Sequence, residues 1–325
     1  MMKKTGIALL SLMLLLCSFA CAPQKPPAAD AENPPLRIVT TIFPLYDWVQ
    51  KILGENAGNT ELSMLLDSGV DLHSYQPSAE DIVRISTCDV FLYVGGESDE
   101  WIDDALKESQ NPDQLVISLL DLLGDGVKAE ETVEGMQAEP EEDSAEETES
   151  DEHVWLSLKN AKALCGAIAD RLAEADPDHA DAYRQNAAAY GEQLSALDAA
   201  YAEAVQGAAY RTLLFADRFP FRYLADDYGL DYYAAFSGCS AETEASFATI
   251  VFLADKLDEL GLPAVLQIES ADGSIARTVL AASKNPDRPV LTLDSLQSVT
   301  AAERGGADYL TRMEQNLGVL KAALN

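Results

Sequence analysis

The chain has 325 residues with 55 acidic against 22 basic side chains, a formal charge of −33. That imbalance excludes nucleic acid and an anionic membrane surface as ligands, since both are held by clustered Lys and Arg, and it suits a protein that accumulates cations. Five cysteines in a chain of this length exclude a disulfide-stapled scaffold, and about 290 residues beyond the leader suffice for two domains, each with its own core.

Lys3 and Lys4 precede an apolar run, Ile7 to Leu16, and then CSFAC. A basic start, a short apolar stretch and a small residue before cysteine predict a signal peptide over residues 1–20. The run is too short to hold a chain stably across a bilayer. Cleavage before Cys21 would leave a Pro/Ala-rich tether over residues 21–35. This resembles a bacterial lipoprotein lipidated on Cys21, although Ser18 stands where the lipobox carries leucine. A plain secreted protein with incidental cysteines is the alternative.

From residue 36, short apolar strands alternate with helical segments. LRIVTTIF leads into a helix near Pro44, and ELSMLL into the loop DLHSYQPSAED and a helix from Ser78. Ser78 and Asp81 there stand at capping-box spacing. VFLYVG and LVISLL are the next strands. This alternation predicts an α/β lobe with a parallel sheet over residues 36–175. Within it, residues 130–152 carry twelve acidic side chains and no basic one, which predicts a disordered loop, either solubilising or cation-gathering. In 176–206, Tyr183, Ala187, Tyr190, Leu194, Leu197 and Tyr201 recur at spacings of four and three, the stripe of one long linking helix. Four more strands, TLLFAD, LDYYAAF, AVLQIES and PVLTLD, build a second α/β lobe over 207–325, with helices at 247–260, 274–282 and 309–323. Two Rossmann-like lobes joined by a rigid helix place a ligand in the cleft between them, outside the C-terminal strand ends.

Three histidines are available. His73 and His153 sit in loops at segment ends. His179 lies among Asp176, Asp178 and Asp181 at the start of the long helix and is expected to be a solvated surface residue. A lone loop histidine is usually structural, but two strand-end imidazoles in so His-poor a chain leave a shared metal site open beside that reading.

These motifs resemble the zinc- and manganese-type (cluster 9) substrate-binding proteins of ABC transporters over nearly the whole chain. DLHSYQPSAED is similar to that family's first ligand loop, with His73 as ligand, and DEHVWLSLKNA to its second, with His153. LTLDSLQSVT looks like the last ligand segment, with Asp294 supplying a carboxylate. The resemblance breaks at the third ligand, a His or Glu in the family, where ADRFPFRYLADDYGL places Arg218. A guanidinium cannot ligate a metal. Beside a divalent ion at about 4 Å it would cost about 8 kcal/mol at an effective dielectric of about 20. Arg218 must therefore turn onto a carboxylate, or the site is not the usual one. In AAFSGCSAETEAS, Cys239 offers a thiolate, its alternative being a small buried thiol. Glu242 offers a carboxylate, and Glu269 is a candidate partner for Arg218 or a supporting group behind the ligands.

The resemblance implies an extracytoplasmic, lipid-anchored monomer at the outer face of the bacterial cytoplasmic membrane. It would capture a metal ion, zinc ahead of manganese, and deliver it to an ABC permease. Two other classes stay open: a surface adhesin with a vestigial metal site, and a zinc-dependent hydrolase with Glu242 as base. No HExxH, GxSxG or P-loop motif supports an enzyme.

Overall fold

The computed structural model describes residues 34–137, 149–240, 242, 244–297, 299–306 and 308–325. The expected signal peptide, Cys21 and most of the tether lie outside them. Residues Leu36–Asn325 form one compact unit.

Its first sheet contains β1 (Leu36–Thr40), β2 (Thr60–Met64), β3 (Val90–Tyr93) and β4 (Leu115–Ser118) in the order β2-β1-β3-β4. The second contains β5 (Thr212–Arg218), β6 (Asp231–Phe236), β7 (Val265–Ile268) and β8 (Val290–Leu293) in the equivalent order β6-β5-β7-β8. Every strand pairing is parallel. The eight expected strands are all present. The order places each lobe's switch point beside its first strand, so the loops after β1 and β5 open toward a cleft.

Helices cover the sheets. In the first lobe these are α1 (Phe43–Leu53), α2 (Ala79–Thr87), α3 (Trp101–Lys107), α4 (Leu119–Leu123) and α5 (Leu158–Ala175). Ser78 and Asp81 close the expected capping box at the start of α2. The linking helix α6 (Ala180–Gln206) is 27 residues long and buries the expected stripe, including Tyr183, Tyr190, Leu194 and Tyr201. It begins four residues later than residue 176, because Pro177–His179 forms a short 3₁₀ turn that folds α6 back onto α5. Then come α7 (Arg222–Tyr228), α8 (Phe247–Glu259), α9 (Ser274–Ala282), α10 (Ala301–Arg304) and α11 (Tyr309–Ala323).

The two lobes do not bury separate cores, contrary to the expectation from chain length. One apolar cluster runs from Ile38 and Phe91 through Tyr190 and Tyr201 to Phe215, Leu266 and Met313. A second, smaller cluster lies on the other face of the C-terminal sheet around Leu214, Phe236, Leu253 and Val279. The alternation along β5 explains the division: Leu213 and Phe215 face the shared core, Leu214 and Ala216 the outer helices. The shared face is sealed by α6 and α11, which touch both lobes.

Polar bonds cross the same seam. The Trp155 indole donates to the Ser295 carbonyl at 2.9 Å, and the Tyr309 hydroxyl to the Trp155 carbonyl at 2.6 Å. Trp155 is fully buried. Trp155→Ala should cost about 3–5 kcal/mol of stability, read as a lower urea midpoint with both lobes unfolding together. Two separate transitions in the wild type would contradict a shared core.

The acidic segment is only partly as expected. Residues 138–148 lie outside the described residues, but 130–137 and 149–152 are placed. An antiparallel bridge joins Ala129 and Ser150, and Glu130 N–H donates to the Glu149 carbonyl at 2.7 Å. Further on, Gln137 N–H donates to the Ala235 carbonyl of β6 at 2.9 Å. The bridge holds the two ends of the segment together, and the Gln137 bond, with Glu131 held 3.4 Å from Arg222, lays the first of them along the second lobe despite its charge.

Candidate metal centre

His73 and His153 are built into their loops by the same device. Each follows an aspartate by two residues, and that aspartate's Oδ1 accepts the histidine's backbone N–H: Asp71 for His73 at 3.0 Å, Asp151 for His153 at 2.9 Å. A short side chain bonding two residues ahead fixes the turn and sets the direction of the ring. Asp151 Oδ1 also lies 3.0 Å from His153 Nδ1. It accepts that proton and leaves Nε2 free with a lone pair, as metal-binding histidines require.

The two Nε2 atoms are 3.1 Å apart, and His73 Nδ1 lies 2.6 Å from Ser98 Oγ and 3.6 Å from Glu152 Oε2. The His73 Nε2–H then donates to the His153 Nε2, whose lone pair the Asp151 bond leaves free. Burial, and after it the neighbouring imidazole, lowers the His73 pKa to about 3, so the ring is neutral across physiological pH. An ion between the rings would need the His73 proton on Nδ1, where Ser98 and Glu152 can accept it. Glu152 is buried and its carboxyl is raised to about 7 by desolvation, offset in part by bonds from Ser98.

Cys239 completes the group. One ligand atom each of His73, His153 and Cys239 lies within 4.8 Å of the others. The loop after β6 brings the thiol in, anchored by Cys239 N–H donating to Glu130 Oε1 at 2.9 Å. Gly238 makes the approach possible: a Cβ there would stand 3.1 Å from the His153 ring and 3.0 Å from the Phe219 carbonyl. Burial, then Glu130, Glu152 and Asp151, pushes the thiol up, so without a cation it keeps its proton. A cavity of about 380 Å³ opens beside the group, lined by His73, Cys239, Trp101 and the carboxylates Glu130, Glu149 and Glu152. Cys88 and Cys165 are buried elsewhere. His179 is held by Asp176 at 2.7 Å and is 43% exposed.

Arg218 turns away from the group. Its Nη2 donates to Asp71 Oδ2 at 2.6 Å and its Nη1 to the Ser240 carbonyl at 3.3 Å. Burial would raise the Asp71 carboxyl, but the guanidinium and His73 outweigh it, and the group lies below the usual carboxylate range. Asp71, not Glu269, is therefore the carboxylate that receives Arg218. Glu269 instead accepts the Ser295 N–H at 2.8 Å and the Ser295 hydroxyl at 2.7 Å.

Asp294 is not brought to the histidines either. Its Oδ2 receives Arg312 of α11 at 2.6 Å and its Oδ1 the Leu296 N–H at 2.8 Å. Leu296 is the one non-glycine residue with positive φ, 62°, among the described residues, and the Asp294 bond holds that turn. Asp294→Asn should leave zinc affinity nearly unchanged, since Arg312 and the Leu296 N–H occupy its carboxylate; a loss of about a hundredfold in a chelator competition would return Asp294 to the ligand set. Glu242 lines a different cavity, of about 460 Å³, together with Arg218 and Glu244. Asp71, Ser98, Asp151 and Glu152 were not singled out from the sequence, although the repeated Asp-x-His spacing was a readable signal for two of them.

A family profile described as zinc-uptake complex component A, periplasmic, matches residues 38–323. The zinc-binding lipoprotein AdcA of Streptococcus pneumoniae is 34% identical over 324 residues, which is 98% of this chain and 61% of that protein. The chain thus spans under two thirds of that relative's length. The high-affinity zinc uptake system protein ZnuA of Bacillus subtilis is 27% identical over 327 residues, 99% of this chain and 98% of that one. Among solved structures, the zinc-bound ZnuA-like domain of S. pneumoniae AdcA superposes with a TM-score of 0.67 at 28% identity, covering 89% of this chain and 99% of that domain. Two parallel-sheet lobes, one linking helix and a histidine pair at the seam thus meet a profile that spans both lobes, and the chain belongs to the ZnuA family.

Proposed function

We propose that the chain captures one zinc ion outside the cytoplasm on His73, His153 and Cys239 and delivers it to an ABC permease. The observation that carries this reading is the convergence of two imidazoles and a thiol, drawn from both lobes, beside an acid-lined cavity. The names of the AdcA and ZnuA relatives support it. Nitrogen and sulfur donors favour zinc over manganese, which prefers oxygen. Three protein donors leave a tetrahedral ion one position for water, through which it can be exchanged. Metal analysis and chelator competition on the mature protein should give one zinc per chain at sub-micromolar affinity, with manganese at least about a hundredfold weaker. Absence of zinc binding would overturn the reading.

Cys21 would carry the lipid that keeps the carrier at the membrane, and an ABC permease would be its partner there. The adhesin reading rested on Arg218, which on Asp71 gives it no support. The hydrolase reading needed Glu242 as base, and Glu242 lines the other cavity.

The acidic segment would raise the local cation concentration. Replacing residues 138–148, with their six carboxylates, by an uncharged segment of equal length should leave the melting temperature and equilibrium affinity unchanged. Stopped-flow capture of zinc should slow at low ionic strength, and the difference should vanish in high salt. Equal rates at low salt would remove the role. The substitution stops at residue 138 because Glu130, Glu131 and Gln137 bond the second lobe.

A further inference from the structure

We propose that Arg218 is a clasp that assembles the metal site before the ion arrives. The inference rests on the zinc-carrier reading of the site but is tested without zinc. Arg218 ends β5 in the second lobe, where the strand register shifts against β6. Its backbone is fixed by Asp217, which accepts the Arg218 N–H at 2.8 Å and the Ile268 N–H at 3.1 Å. From that fixed point the guanidinium reaches two loops. Nη2 holds Asp71, whose other oxygen holds the His73 backbone. Nη1 holds the carbonyl of Ser240, the residue after Cys239.

One side chain thereby ties the first lobe's His73 loop to the second lobe's Cys239 loop. The Arg218 and Asp71 side chains are only 13% and 12% exposed, so the pair is weakly screened by salt and short enough to be charge-assisted. An ion that bridged the lobes by itself would have to order both loops on binding. Here a fixed positive charge does that work, and Asp71 cancels the repulsion that a bare guanidinium would exert on the incoming cation. The cost of ordering is met in folding, which tightens binding for ions that fit the preset donors and leaves less lobe movement for the ion to drive.

The test uses metal-free mature protein. Cys239 alkylation is followed by mass-spectrometric mapping, which separates it from buried Cys88 and Cys165. Hydrogen exchange is read over residues 71–75 and 237–240. Arg218→Met should speed Cys239 modification about tenfold and raise exchange in both segments. Asp71→Asn, which keeps an oxygen for the His73 N–H, should do the same, and the double variant should be no worse than either single one, as expected of one shared interaction. Arg218→Lys should restore part of the protection, as a point charge without the fork. On cobalt loading, Arg218→Met should weaken the thiolate-to-metal charge-transfer band. Unchanged Cys239 reactivity in Arg218→Met, or additive effects of the two substitutions, would overturn the clasp. Should Arg218→Met fail to fold, Asp71→Asn and Arg218→Lys carry the same comparison. A chain that shows the clasp but binds no zinc would sink the carrier reading alone.

Discussion

His153→Ala should lower zinc affinity at least about a hundredfold, more than the roughly ten- to hundredfold loss that removing a supporting residue brings. The ring is fully buried, faces His73 at 3.1 Å and is aimed by one carboxylate that bonds both its backbone and its Nδ1. No other histidine can replace it. His73→Ala should cost as much, while His179→Ala, held at the far turn by Asp176, should change nothing. Competition with a chromophoric chelator measures all three, with circular dichroism to verify folding. Equal losses from His179→Ala and His153→Ala would refute the assignment.

Zinc binding should release one proton per ion above neutral pH, and the proton should come from Cys239. His73 is already neutral, with its pKa lowered to about 3, and has no proton to give up to solvent. The Cys239 thiol is raised by burial and by three nearby carboxylates, so the metal-free protein holds it protonated. Only the thiolate ligates, and zinc must displace that proton. The sign follows: affinity rises with pH, about tenfold per unit between roughly pH 7.5 and 9. Below about pH 7 the Glu152 carboxyl also holds a proton, so the single-proton window lies above it. Calorimetry in buffers of different ionisation enthalpy counts the protons. Cys239→Ser should abolish the pH slope and weaken zinc far more than manganese, and a cobalt-loaded wild type should show a thiolate charge-transfer band. A flat profile in the wild type would remove the thiol from the set, leaving two histidines and water.

Much of the molecule was legible in its residues. The eight strands, the capping box at Ser78 and the stripe on α6 follow from periodicity and local polar bonding, which act within a few residues of sequence. His73, His153 and Cys239 could be picked out because each stands in a loop at a strand or segment end, where an α/β fold gathers its ligands. Its loop position at a strand end favours Cys239 over Glu242, but what carries the thiol to the histidines could not be read. It depends on Gly238, whose missing side chain lets the loop reach the His153 ring, and on a Glu130 anchor 109 residues away.

The assignments that changed were those set by long-range charge pairing. Asp294 reads as a ligand until Arg312, on a later helix, occupies its carboxylate. Glu269 reads as a partner for Arg218 until Ser295 takes both its oxygens. Arg218 reads as an obstacle to metal binding until Asp71 stands 147 residues away in sequence and 2.6 Å away in space. A carboxylate is equally suited to an ion, a guanidinium or a backbone N–H, and nothing local distinguishes them. The sequence by itself determined which segments become strands and helices and which few side chains could ligate, because those depend on neighbours along the chain. Only the tertiary structure decided how each carboxylate is paired and that one core joins the lobes, because charges and apolar faces far apart in sequence must first be brought together.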